Sequence, residues 1–240
     1  MTDPHRDDEP ATSLSAQLRA AAQRAGIGQV APGEVPTGHA LLSAIGGVRG
    51  LVESILPGLA FLVIYTATQE LLPSVLFPVA VGVVFVVIRL VQRGPVPQAF
   101  AGLLGIAISA ALALLSGRAV DNFLPGIVIN SVSAFVLLVS LAARWPLIGI
   151  VVGLLTNEGG AWRADRAKRR VLTLATWLWV LLFAVRLAVE VPLFLANDVS
   201  LLGAMKLILG VPFYAAMLWV TWLLVRTVYA ARAADEAAAS

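Results

Sequence analysis

Four polar residues sit inside stretches that are otherwise almost wholly apolar. Arg186 and Glu190 are four positions apart, a spacing that puts both on one face of a helix. Lys206 and Asn130 lie in two further apolar stretches, at depths from which they can reach the same layer. A charge inside a membrane span costs about 3 kcal/mol on insertion scales, so such residues need partners or water and mark functional sites by default. Two cations against one carboxylate suit a small anionic ligand in a water-filled cavity. The competing expectation is structural, with Glu190 pairing with Arg186 or Lys206 and the network fixing helix register. Glu53 is the fifth candidate. Arg49, four residues before it, supplies a partner on the same face, and an unpaired Glu53 would be a proton carrier.

The elements that position these residues follow from composition. Of 240 residues, 59% are hydrophobic and only 13% charged, against about 25% charged in an average soluble domain. An excess of this kind cannot all be buried in a water-soluble globule. The chain reads as all-α, a polytopic integral membrane protein of six transmembrane helices. The spans are expected at about 51–68, 72–90, 100–115, 123–142, 171–195 and 201–225, within a domain covering 38–230. Residues 1–37 read as a disordered cytoplasmic tail with a short helix in 13–24, and 231–240 as a second cytoplasmic tail. Residues 146–155 are apolar but too few to cross, so an interfacial or re-entrant segment is expected there.

Orientation rests on the distribution of basic residues. With the N-terminus in the cytoplasm, fourteen of the 17 Lys and Arg fall on the cytoplasmic side and only Arg118 lies in an outside loop. The positive-inside rule therefore predicts N-in and C-in, in a multi-pass protein of the cytoplasmic (inner) membrane. Arg163, Arg166, Lys168, Arg169 and Arg170 form the densest basic stretch and are candidates for contact with anionic lipids, each contributing about 1 kcal/mol at a charged surface. The same topology accounts for the basic charge without a nucleic-acid partner. Trp177, Trp179, Trp219 and Trp222 are expected in an interfacial aromatic belt.

Other chemistry is excluded by what the chain lacks. It has no cysteine, and its two histidines, His5 and His39, precede the first span, so no metal site or other cofactor is expected within the membrane. No nucleophile elbow, phosphate-binding loop, dinucleotide fingerprint or zinc-protease motif occurs, which argues against an enzyme. A row of small residues in the third span, Ala101, Gly105, Ser109, Ala113 and Gly117, permits close helix packing within the chain or between copies in a homo-oligomer. Pro57, Pro78, Pro125 and Pro212 fall within or at the start of spans, and Leu-Pro-Gly recurs at 56–58 and 124–126.

The segment AIGGVRGLVESILPG at 44–58, with its Gly-Gly-x-Arg-Gly-x-x-Glu core, resembles the opening of an actinobacterial membrane family, domain of unknown function 3159 (DUF3159). The likeness extends over roughly 38–230, including ARWPL at 143–147 and the Trp-rich fifth span. It implies a six-helix membrane protein and no established activity, cofactor or catalytic residue. The Pro146-Leu147-Ile148 segment and the spacing of the last two spans are more loosely similar to the intracellular septation protein A family. That similarity implies a role in envelope or division assembly. Two functions are thus expected as alternatives. One is a non-enzymatic scaffold that binds envelope proteins, and the other is a passive or ion-coupled transporter or channel for an ion or small anion.

Overall fold

The computed structural model describes residues 47–92, 96–156 and 158–239, and among these every regular element is helical. The expectations for the tail at 1–37, including its short helix, lie outside the described residues.

Helix α1 (Gly47–Thr68) and helix α2 (Leu71–Val91) form an antiparallel pair. The turn between them is two residues long. Gln69 takes a left-handed φ of 56° and Glu70 is extended, while Gln69 N–H still donates to the Tyr65 carbonyl. Helix α3 (Val96–Ser116) lies against α2. Gly82 permits that approach, since a Cβ there would come within 3.0 Å of the Leu103 side chain. Gly117, at φ 68°, ends α3 and leads into a 3-10 turn at Ala119–Phe123, after which Pro125 starts helix α4 (Leu124–Ala142). Pro125 fits because the first-turn N–H groups of a helix have no intrahelical partner.

The apolar segment after α4 forms the nine-residue helix α5 (Leu147–Leu155). It folds back beside α4, its first N–H held by the Ser140 hydroxyl. Helix α6 (Arg166–Leu195) is the longest, with 30 residues, or about 45 Å at 1.5 Å per residue. Asp165 caps it by accepting from the N–H groups of Ala167 and Lys168. At its far end Asn197 turns left-handed, at φ 59°, and Asp198 caps helix α7 (Val199–Ile208) by accepting from Leu201 N–H.

The expected sixth span at 201–225 is not one continuous helix. It breaks at Leu209 and Gly210 into α7 and helix α8 (Val211–Ala239). The cause is readable locally. Pro212 has no N–H to continue the ladder, and a Cβ on residue 210 would come 2.6 Å from the Lys206 carbonyl oxygen, which only glycine avoids.

Three apolar clusters hold the bundle. Phe61, Val75, Ala113, Val120, Phe123 and Leu202 close the end that holds the Gln69 turn. Phe61 stacks on Tyr65 at 5.9 Å and meets Phe123 edge-on at 5.5 Å. Leu137, Leu182 and Phe183 join α4, α6 and α8 at mid-height. Trp162, Leu172 and Val225 close the basic end, where α6 begins. Here Trp162 is fully buried against Gly149 and Gly153 of α5, at positions where any Cβ would strike its ring.

The exterior is apolar. Val63, Phe77, Phe135 and Leu195 are each more than half exposed, an arrangement suited to hydrocarbon and not to water. Among the described residues, four segments are long and apolar enough to cross a membrane, namely Leu71–Val91, Ala119–Ala142, Arg166–Leu195 and Val199–Tyr229. The apolar parts of α1 and α3, Ile55–Thr68 and Phe100–Ser116, are shorter. Of the four expected belt residues, Trp177 and Trp219 face outward. Trp179 instead points inward, donating from Nε1 to the Thr221 hydroxyl at 3.0 Å and packing on Tyr214.

Candidate functional site

The i,i+4 spacing brings the Arg186 and Glu190 side chains together on the inner face of α6. Arg186 Nη2 donates to Glu190 Oε1 at 2.9 Å, and both residues are at most 5% exposed. Asn130 reaches the same carboxylate from α4, its Nδ2 donating to Glu190 Oε2 at 3.0 Å. Glu190 therefore accepts one hydrogen bond on each oxygen, which is what keeps a buried carboxylate tolerable.

The broken span supplies the third partner. A helix end leaves carbonyls with no N–H to bond, and Arg186 Nη1 donates to the carbonyl of Leu209, at the break, at 2.5 Å. The discontinuity of α7 and α8 and the buried cation of α6 thus satisfy each other. Among the described residues Arg186 Nε is buried with no hydrogen-bond partner, and Tyr214 lies under the guanidinium, 5.1 Å from the ring centroid.

Lys206 belongs to the same layer but is held differently. Its Nζ lies 4.9 Å from the Phe123 ring centroid and beside Gly126, where a Cβ would come within 3.4 Å. It feels both the Glu190 carboxylate and the Arg186 guanidinium. Among the described residues it makes no ion pair and no hydrogen bond. A cavity of about 230 Å³ separates the two cations, lined also by Gly58, Asn122, Gly203 and Tyr214. The layer carries two positive charges and one negative, with open space beside the positive ones. Chemically it can hold an anion. Glu53 falls on α1, but its side chain lies outside the described residues.

The basic stretch divides. Lys168 is 2% exposed and buried against Glu158, with Nζ to Oε1 at 2.6 Å, and it lies 4.2 Å from the Tyr229 ring centroid. Tyr229 in turn donates its hydroxyl to Glu158 Oε2 at 3.0 Å. Lys168 is thus a structural tie between the start of α6 and the far part of α8, not a surface charge, because burial without Glu158 would strand its ammonium. Arg163 is half-buried over the Trp145 ring at 4.0 Å. Arg166, Arg169 and Arg170 are exposed.

Sequence spacing missed two parts of this picture: the Leu209 carbonyl and the Glu158–Tyr229 tie. Gly210 followed by Pro212 was the available signal for the first. Glu158 and Tyr229 are 71 residues apart, and no local pattern encodes such a pairing.

No curated protein and no solved structure matches the chain, so the looser likeness to the septation protein A family has no match behind it. The family resemblance does: a sequence profile matches residues 45–232, which covers the helical bundle from α1 into α8. The chain belongs to the family described as Protein of unknown function (DUF3159).

Proposed function

We propose that this is a six-span protein of the cytoplasmic membrane, N-in and C-in, that takes an anionic ligand into a site in the outer half of the bilayer. Arg186 and Lys206 attract the ligand, and Glu190 and Asn130 hold Arg186 in place. The observation that carries the reading is the cavity lined by two cations, of which only Arg186 is paired with a carboxylate. A scaffold needs no such cavity, so the geometry favours the ligand-binding alternative over the envelope scaffold. The helix break supports it as well, since discontinuous helices near the bilayer midplane build the binding sites of many transporters. The exposed Arg166, Arg169 and Arg170 at the start of α6 suit contact with an anionic leaflet surface. The orientation rests on the fourteen basic residues on the cytoplasmic side.

The test is thermal unfolding of the full chain in detergent across a titration with inorganic phosphate, with sodium chloride at matched ionic strength as the control. A saturable rise in melting temperature is expected for the wild type, because a ligand that binds only the folded state stabilises it. The rise should vanish in Lys206→Gln. Equal responses in the wild type and Lys206→Gln would remove the reading, since bulk salt effects act on both alike.

A further inference from the structure

A second cavity, of about 410 Å³, meets the first at Lys206. The two share Gly58, Phe61, Asn122 and Lys206 as lining residues. The second is an apolar groove bounded by α1, α2, α3 and α4, and its volume falls in the range of about 300–1,000 Å³ typical of ligand pockets. Its α3 wall includes Gly105 and Ser109 of the small-residue row, with Gly102 beside them. Gly102 and Gly105 are exposed and have nothing within 4 Å of where a Cβ would stand, and Ile129 on the α4 wall is 63% exposed. The groove therefore opens sideways, toward whatever surrounds the bundle, and for an apolar exterior that is hydrocarbon.

A small dissolved anion has no use for this limb. An aliphatic chain does, and the charge at its inner end states what the chain must carry. Lys206 has no carboxylate of its own among the described residues, and Arg186 also lines the adjoining cavity. From this continuity we infer that the ligand is an anionic phospholipid of the bilayer, entering between α3 and α4, with one acyl chain along the groove and its phosphate between Lys206 and Arg186. The inference rests on the anion-binding reading and names the class of anion.

The experiment compares lipid retention by the full chain in detergent, read by native mass spectrometry with phosphatidylglycerol and phosphatidylcholine of the same chain length. Wild type retains phosphatidylglycerol about ten-fold better, roughly what one or two cation contacts are worth. Lys206→Gln removes the preference and Lys206→Arg keeps it. Gly102→Leu and Gly105→Leu, both on the groove wall and outside the lining of the first cavity, lower phosphatidylglycerol retention several-fold but keep the thermal response to inorganic phosphate. Should the leucine variants fail to fold, Gly105→Cys is purified first and alkylated afterwards with a bulky maleimide, which the cysteine-free chain allows. Undiminished retention with the groove filled, alongside an intact phosphate response, overturns the lipid while leaving the anion site standing. Loss of both responses in the wild type removes both.

Discussion

Two buried acid–base clusters among the described residues, one at the basic end and one at mid-height, are built to different rules. At the basic end Lys168 and Glu158 match one to one, and the second carboxylate oxygen takes the Tyr229 hydroxyl. Trp162 fills the space beside them. At mid-height Glu190 pairs with Arg186, and the surplus cation, Lys206, borders two cavities. A cluster whose charges cancel one to one has no surplus charge for a ligand to match. Where a cation lacks a matching carboxylate and open space adjoins it, the ligand is the missing partner. Buried ion pairs are thus informative through their stoichiometry and packing, not through being buried.

Substitutions sharpen this contrast. The largest effect is expected from Glu190→Ala, which strands Arg186 without a counter-charge. Breaking a buried pair in this way costs about 3–5 kcal/mol, to be measured by thermal unfolding in detergent. Lys168→Met should cost less, about 1.5–3 kcal/mol for a charged hydrogen bond, because Glu158 is 27% exposed and water can take over part of its solvation. That variant should leave the response to phosphate unchanged, which separates the two clusters. Gly153→Ala drives a methyl group into the Gly159 carbonyl oxygen and the Trp162 ring, and overpacking of this kind costs about 1–3 kcal/mol. Gly58→Ala, where a Cβ meets nothing within 4 Å, should stay within about 0.5 kcal/mol in the same assay. Lys206→Gln belongs with the smallest changes in stability, below about 1 kcal/mol, since no ion pair is broken. It alone should remove the anion response.

Much of the bundle was legible in the sequence because hydropathy and periodicity are local. The six apolar stretches all fall on helices, and the nine-residue α5 sits where the apolar run was too short to cross. Arg186 and Glu190 were legible for the same reason, since four residues along a helix set their separation. What escaped depends on pairings across the bundle. Lys168 looked like one more surface charge beside Arg169 and Arg170 until its partner, ten positions back in a turn, was placed. The break at Gly210 was written in the chain, but its consequence, a free Leu209 carbonyl aimed at Arg186, needed the packing of α6 against α7. Lys206 reads in sequence as a residue in need of a carboxylate, and only the structure shows Glu190 already bonded on both oxygens by others.

The most direct measurement uses Gly58→Cys in detergent-purified protein, comparing modification rates by anionic and cationic thiosulfonates of similar size. Residue 58 lines both cavities and has open space at its Cβ position. An electropositive cavity should concentrate the anionic reagent, so it should react at least about ten-fold faster than the cationic one. That ratio should fall toward unity when Lys206→Gln is added. Equal rates in the single variant, or faster reaction with the cationic reagent, would contradict an anion site between Arg186 and Lys206.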